Sequence, residues 1–481
     1  METIVGRIAE IALLREVLET PEAELIAVYG RRRVGKTYLI RNVYEREMLV
    51  EITGIKNADL AGQLDNFCAT LTAAFQLPTE IAVPKNWLHA FRVLIQLLET
   101  RPKNTKKVLF FDEFPWMDTP RSGFLAAFDH FWNNWASRQK HLVVVICGSA
   151  ASWMIQNVVK NKGGLHNRLT RRIRLLPFNL YETEQFLQRK GLHYDRYQIL
   201  QLYMATGGIP HYLKEIRAGF SLTQAIGNLC FTKDGLLRDE FSSLYASLFD
   251  AADKHVSIVR ALAGKPTGMT RTELMAAVGL SSGGGLSRLM EELEESGFIS
   301  AYVPFQKNTK DALFKLSDEY SLFYLKFIEG SKAAGESVWL AKSNSAAYRA
   351  WSGLAFENIC LKHVAQIKQG LSIGGVYTEE SAWRYSPKDG SEGTQIDLLL
   401  DRADHCINLI EIKFYRSELS LDKKDAYNLA QKRRIFQDIT KTRKTVFITL
   451  MTTFGAKKNE YYLNHVQNQL EMGCLFEGIK I

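Results

Sequence analysis

Residues 30–37 read Gly-Arg-Arg-Arg-Val-Gly-Lys-Thr, a full match to G-x-x-x-x-G-K-[ST]. The apolar run 25–29 before it reads as a buried strand, and the stretch 36–47 after it as a helix. A glycine-rich turn between strand and helix leaves few foldings open. Gly30 and Gly35 free the backbone, so that the N–H groups of Arg31, Arg32, Arg33 and Val34 can wrap a phosphate chain at the positive end of the helix dipole. Lys36 is placed to reach the β- and γ-phosphates, and Thr37 to ligate Mg²⁺. ATP and Mg²⁺ are the cofactors this pattern predicts.

The apolar run 108–111 ends in Asp112-Glu113, a strand with carboxylates at the edge of an α/β sheet where ligands bind. Asp112 is expected to hold Mg²⁺ through water. Glu113 is expected to act as general base on the attacking water. A third apolar strand, 142–147, ends in Gly148-Ser149, and Ser149 is a candidate γ-phosphate sensor. Strands of this kind alternating with helices predict a parallel sheet covered on both faces. Six basic residues and no acid lie between 160 and 174: Lys160, Lys162, Arg168, Arg171, Arg172 and Arg174. Arg168 is the first choice for an arginine finger acting across a subunit interface, which would require a homo-oligomer. The alternative is a solvated or nucleic-acid-facing basic loop.

Composition narrows the setting. The chain of 481 residues has 46% hydrophobic and 23% charged residues, as soluble globular proteins do. No apolar run approaches the roughly 18–20 residues needed to span a bilayer, so no membrane partner is expected. The N-terminal stretch has no apolar core with a cleavage site, and the six scattered cysteines form neither a CxxC pair nor a disulfide framework. A reducing cytoplasm is the expected location. The net charge of +9 leans towards a polyanionic partner such as DNA.

Residues 180–248 read as helices only. A short helix at 256–263, a capping box at Thr270–Glu273, a Gly/Ser break at 281–285, a helix at 286–296 and a hairpin over 298–316 follow the plan of a winged helix. Its presumptive recognition helix carries Glu291, Glu292, Glu294 and Glu295 against Arg288 alone, which disfavours DNA. Lys307 and Lys310 in the turn could still touch a phosphate backbone. The Gly/Ser/Ala-rich stretch 329–344 reads as a linker.

Beyond the linker, Asp397 lies in one strand-like run and Glu411-Ile-Lys413 in the next. Residues i and i+2 of a strand share a side, so Glu411 and Lys413 face one site, and pairing of the two strands would set Asp397 beside Glu411. Two adjacent carboxylates favour a cation between them, and Mg²⁺ suits hard oxygen ligands. Lys413 could then orient water or stabilise transition-state charge, a constellation for metal-dependent phosphodiester hydrolysis. The alternative is an ion pair in which Lys413 merely neutralises Glu411. Lys432, Arg433, Arg434, Lys441, Arg443 and Lys444 could run along a nucleic-acid backbone.

The phosphate loop, the Phe-Phe-Asp-Glu-Phe strand end, Gly148-Ser149, the stretch from Asn167-Arg168 to Phe178, and Thr206-Gly-Gly-Ile-Pro210 together resemble P-loop ATPases of the AAA+/STAND type. More narrowly, the chain resembles archaeal-type ATPases in which a winged helix and a restriction-endonuclease-like domain follow the ATPase. The resemblance implies a multidomain α/β chain: a P-loop NTPase core over 1–178, a helical lid over 179–250, a winged helix over 251–328, a linker over 329–346 and a PD-(D/E)xK nuclease-like α/β domain over 347–481. It places Gly207–Pro210 in the lid over the nucleotide. It makes helical Glu357 an accessory acid near a metal held by Asp397 and Glu411. Asn167 stands where a glycine usually precedes the arginine. The function this implies is ATP binding and hydrolysis that gates a nuclease-like domain acting on DNA. Two alternatives stay open: a nucleotide-dependent switch with an inactive nuclease-like domain that binds DNA or a partner protein, and a ring-forming remodelling ATPase.

Overall fold

The computed structural model describes residues 4–159, 164–279, 284–331, 335–385 and 393–479. Lys160, Lys162 and most of the Gly/Ser break at 281–285 lie outside these residues. The chain divides into two compact units. The first runs to Pro177 and adds Ser242–Ala252 and Glu291–Gly297; the second holds the remainder.

The first unit is built on five strands, β1 Glu24–Tyr29, β2 Met48–Thr53, β3 Lys107–Asp112, β4 Leu142–Gly148 and β5 Arg171–Arg174, in the order β2-β3-β4-β1-β5. Every pairing is parallel. All residues of β1 and β4 are buried. Helices cover the sheet, and this is why the two strands read as unbroken apolar runs rather than alternating ones. One face packs on an aromatic cluster from Phe67, Trp87, Phe91, Phe111, Phe124 and Phe128, with Trp87 and Phe124 rings 4.8 Å apart in an edge-to-face arrangement. Such contacts stabilise beyond simple burial.

The last turn of the helix Gly284–Glu295 belongs to this unit and shows where its acids go. Glu292 is buried and accepts a hydrogen bond from Gln156 Nε2. The Arg174 guanidinium donates to the carbonyls of Glu294 and Glu295 and lies 3.5 Å from the Glu295 carboxylate. The Glu292 and Glu295 carboxylates are therefore engaged within the protein.

The second unit begins with helices Leu180–Arg189, Arg196–Thr206, Pro210–Lys214 and Leu222–Phe231. Gly207 and Gly208 both have positive φ, and the Phe178 N–H donates to the Gly208 carbonyl at 2.9 Å. Three short antiparallel strands come next, β6 Met269–Thr270, β7 Ile299–Tyr302 and β8 Leu313–Leu316, in the order β6-β8-β7. The β7–β8 connection is anchored. Its Phe305 N–H donates to the Ala382 carbonyl at 3.0 Å, and its ring lies 5.5 Å from that of Phe436.

The expected linker is a correction. Residues 336–343 form the helix Glu336–Ser343, and Trp339 is 3% exposed, stacked on Phe231 at 5.8 Å and packed edge-on against Phe323, Phe327 and Tyr348. One buried tryptophan outweighs the flexible composition around it, because burying so large an apolar side chain gives about 2–3 kcal/mol.

The C-terminal sheet holds β9 Thr378–Tyr385, β10 Thr394–Arg402, β11 Cys406–Lys413, β12 Thr445–Thr452 and β13 Asn468–Glu471, in the order β13-β12-β11-β10-β9. β9, β10 and β11 run antiparallel, whereas β11, β12 and β13 run parallel. The helix Ala346–Lys362 precedes the sheet, and Lys423–Thr440 connects β11 to β12.

His363 ties this region to the first helix of the unit. Its Nδ1–H donates to the Ile359 carbonyl at 2.8 Å, and its Nε2 accepts the Leu180 N–H at 3.1 Å. Both ring nitrogens are satisfied only in the neutral form, and burial lowers the pKa to about 4. Below the unfolded value of about 6.5, the unfolded chain takes up a proton that the folded chain refuses. This contribution is complete above pH 6.5 and is lost as the pH falls through about 4. We expect urea unfolding of this unit to show a stability loss of about 2 kcal/mol between pH 7 and pH 5, and His363→Gln to flatten that slope. An unchanged slope would remove His363 as its source.

Candidate nucleotide site and C-terminal acidic site

The phosphate loop turns sharply at Gly30, whose φ is +139°. A Cβ there would meet the Leu175 carbonyl oxygen at 2.4 Å, so only glycine fits between β1 and the segment leaving β5. Arg33 and Gly35 also take positive φ. Lys36 is buried and donates from Nζ to the carbonyls of Gly30 and Arg31 at 3.0 and 2.9 Å. Burial lowers its pKa, while the neighbouring Cys147, Glu113 and Asp112 pull it back up. The ammonium is thus curled into its own loop, held by carbonyls that a phosphate chain would replace as partner.

Thr37 Oγ1 donates to Asp112 Oδ2 at 2.8 Å. Burial raises the Asp112 pKa, and this hydrogen bond opposes the rise. The hydroxyl and the carboxylate are both oxygen donors and already adjacent, a donor set that fits Mg²⁺. Glu113 adopts φ +46°, unusual for a residue with a side chain. Phe114, fully buried with ring centroids 4.8 Å from both Phe124 and Phe128, pins the next residue and over-determines the turn. Gly148 makes room for it, since a Cβ there would meet Pro115 Cδ at 2.7 Å. The turn presents Glu113 to Ser149. The Ser149 hydroxyl donates to Glu113 Oε2 at 2.7 Å, and the Ser149 N–H to the same oxygen at 3.2 Å. Strand β4 lies between β1 and β3, so its end carries the residue that holds the carboxylate. Ser149, the residue expected to sense phosphate, is here hydrogen-bonded to Glu113.

Two further placements differ from the sequence reading. Arg7 is buried and donates to the Val34 carbonyl at 3.3 Å, a support of the phosphate loop with no sequence signal beyond Gly-Arg before a helix. In the basic stretch, Arg171 pairs with Glu16 at 3.1 Å and Arg174 is engaged as described, whereas Arg168 stands exposed in the turn before β5.

Residues 4–216 match the family model described as an ATPase domain predominantly from Archaea. This segment is similar to the ATPase domain of that family. An uncharacterized protein of Methanocaldococcus jannaschii is 23% identical over 418 residues, covering 85% of this chain and 87% of that protein. The chain also resembles a Walker-type ATPase of Pyrococcus abyssi (19% identity, TM-score 0.46, 67% of this chain and 96% of that one). The Aeropyrum pernix ORC2 protein, solved as ADPNP and ADP complexes, is similar at 15% identity and TM-score 0.40 over 72% of this chain and 98% of that one. Among the described residues no helix is long and apolar enough to cross a membrane.

The second site lies on the C-terminal sheet. The β10–β11 register pairs Leu398 with Ile410, and continued by one step it sets Asp397 opposite Glu411. The pairing of β10 with β9 slips by one residue between Ile396 and Leu399, a bulge at Asp397 of the kind that re-aims a side chain. Asp397 Oδ2 accepts the Ile412 N–H at 3.2 Å. Burial, then repulsion from Glu411 and Glu357, pushes the Asp397 pKa up to about 7. Burial alone would raise Glu411 as well, but Lys432 and Lys413 outweigh it and hold Glu411 ionised, at 2.5 and 2.9 Å from its two oxygens. A cleft of about 500 Å³ opens here, lined among others by Gln395, Glu411, Lys413, Tyr415, Asn428 and Lys432.

Lys432 and Lys444 correct the expected nucleic-acid track. Lys432 belongs to the acidic site, and Lys444 pairs with Asp401 at 2.6 Å. Arg434, Lys441 and Arg443 remain exposed. The expected metal trio is only partly assembled. Among the described residues no three carboxylate, histidine or cysteine side chains converge to hold a metal, and the Glu357 carboxylate is bonded to Lys315 at 2.7 Å.

Proposed function

We propose that this chain is an ATP-hydrolysing switch whose nucleotide state gates a metal-dependent, nuclease-like site in its C-terminal domain, acting on DNA. The observation that carries the reading is the presence of two separate constellations for phosphate chemistry, Lys36–Thr37–Asp112–Glu113–Ser149 and Asp397–Glu411–Lys413. In the first, ATP would take the Lys36 ammonium from its loop carbonyls, and Thr37 and Asp112 would hold Mg²⁺. A bound Mg²⁺ neutralises the charge of the phosphates. Glu113, released from Ser149, would take the proton of the attacking water. Arg168 is the proposed finger, supplied to the site of a second copy. In the second constellation, Asp397 and Glu411 would hold the metal and Lys413 would meet the charge developing on a scissile phosphate.

The three helices and small sheet of residues 252–316 are assigned as a winged helix. With Glu292 held by Gln156 and Glu295 beside Arg174, its acidic helix is not a DNA reader.

A second reading has its own observation. Both oxygens of Glu411 are occupied by lysines, as expected of a domain that has kept the fold and lost the metal. The chain would then bind DNA or a partner protein without cutting. Supercoiled plasmid incubated with the protein and Mg²⁺ or Mn²⁺, with and without ATP, separates the two. Nicking whose rate changes with ATP supports the gated nuclease; no nicking under any combination supports the switch.

A further inference from the structure

The cleft beside Glu411 is lined by more than charge. Tyr415 stands two residues beyond Lys413, lines the same cleft of about 500 Å³, and is 44% exposed. Its backbone is fixed on both sides. The Tyr415 N–H donates to Thr453 Oγ1 at 2.9 Å, and the Thr453 hydroxyl donates to the Tyr415 carbonyl at 2.6 Å. Phe414 anchors the same segment, its ring stacked on that of Tyr197 at 5.6 Å. An exposed ring on a pinned backbone is a ready stacking surface. Gln395, Asn428 and Gln431 add side-chain amides to the cleft, each a donor and an acceptor at once, as base edges are. The acids of the cleft are already engaged. Glu411 is held by two lysines, and Asp425 Oδ2 accepts the Asp422 N–H at 3.2 Å.

The helix Lys423–Thr440 carries a second ring at the rim. Tyr427 is 60% exposed and lies four residues before Gln431, so the two are neighbours on one helix face. Lys424 and Arg434, both exposed, extend that stripe at three residues to either side. Cation, ring, amide and cation in line suit a single strand, whose phosphates meet the cations and whose bases stack on the rings. A duplex cannot use such rings, because its base faces are stacked inside and only base edges open on the grooves. We propose that the C-terminal cleft takes an unpaired strand of DNA, with one base on Tyr415 beside the amides, a neighbouring base on Tyr427, and phosphates on Lys424 and Arg434. This names the substrate class of the same cleft and rests on its reading as the DNA site. Negative supercoiling favours local unpairing, so a supercoiled plasmid also presents such a strand.

The test uses the full-length protein in EDTA, without nucleotide. Fluorescence anisotropy follows its binding to labelled oligothymidylate, to the same strand paired with oligoadenylate, and to an abasic strand of equal length. Oligothymidylate should bind about ten-fold tighter than the duplex or the abasic strand. Tyr415→Ala and Tyr427→Ala should each weaken oligothymidylate binding about ten-fold and leave abasic binding unchanged. Tyr415→Phe and Tyr427→Phe keep the rings and should bind as the wild type does, which separates stacking from a fault in folding. Equal affinity for strand and duplex, or alanine variants that bind as the wild type does, overturns the inference, while Asp397-dependent nicking of plasmid would leave the nuclease reading standing. Ring-dependent binding of the single strand with no nicking upholds the inference and turns the function to the switch. No binding of any of the three probes overturns both the preference and the cleft as a DNA site.

Discussion

Glu113→Gln is expected to slow ATP turnover by about 10²- to 10⁴-fold, the range over which a positioned general base accelerates a reaction, while ATP still binds. The substitution keeps the size and leaves an amide oxygen that can accept from the Ser149 hydroxyl, which now bonds Glu113 at 2.7 Å. It leaves Lys36, Thr37 and the glycines that shape the loop in place, and of the groups that pull the Lys36 pKa up it removes Glu113 while Cys147 and Asp112 remain. Binding and turnover should therefore separate: the affinity for ATP measured by equilibrium dialysis stays within a few-fold of the wild type, and phosphate release in the steady state collapses. Turnover unchanged in Glu113→Gln would mean that another group activates the water. A parallel loss of affinity would mean that the strained turn at Glu113, rather than its chemistry, supports the site.

Asp397→Ala is expected to lower metal-dependent DNA cleavage by about 100-fold or more, since a first ligand of the metal is lost. ATP turnover should stay near the wild-type rate, because Asp397 belongs to the second unit and the phosphate loop to the first. The variant also relieves the repulsion between Asp397 and the neighbouring Glu411 and Glu357. This relief opposes the loss of the hydrogen bond that Asp397 accepts from the Ile412 N–H, so the C-terminal domain should stay folded with at most a small change in melting temperature. A melting curve beside the nicking assay checks this. Cleavage that survives Asp397→Ala would move the chemistry elsewhere. Cleavage lost together with a large fall in melting temperature would make Asp397 a structural residue.

Legibility in the sequence divides along one physical line, between local patterns and long-range contacts. Local patterns were legible. The spacing Gly30 to Thr37 requires a strand, a turn and a helix, and the chain shows β1 ending at Tyr29 and a helix starting at Lys36. The apolar runs of β3 and β4 are legible because both faces of the sheet are covered. Strands with mixed composition were not. β2, β5, β9 and β13 are partly exposed, and no apolar run marks them. The long-range partners of charged side chains were the least legible. Lys432 stands beside Arg433 and Arg434 and reads as surface charge, yet helix periodicity turns it towards Glu411 on another element. Arg174 reads as one of six basic residues, and only the fold brings the carbonyls of Glu294 and Glu295 to it. Lys315 sits in a short strand with no neighbouring signal, and its partner Glu357 is 42 residues away. Trp339 likewise turned a stretch with linker composition into a packed helix.

The gating claim is tested most directly by following plasmid nicking and ATP turnover in one reaction, for the wild type and for Lys36→Ala. Lys36 lies in the first unit and makes its contacts within the phosphate loop. Any effect it has on cleavage must pass through the nucleotide state. Wild-type nicking is expected to change rate when ATP is added, and Lys36→Ala to nick at one fixed rate with or without ATP. Lys36→Ala that responds to ATP as the wild type does, or a wild type indifferent to ATP, would contradict the gating.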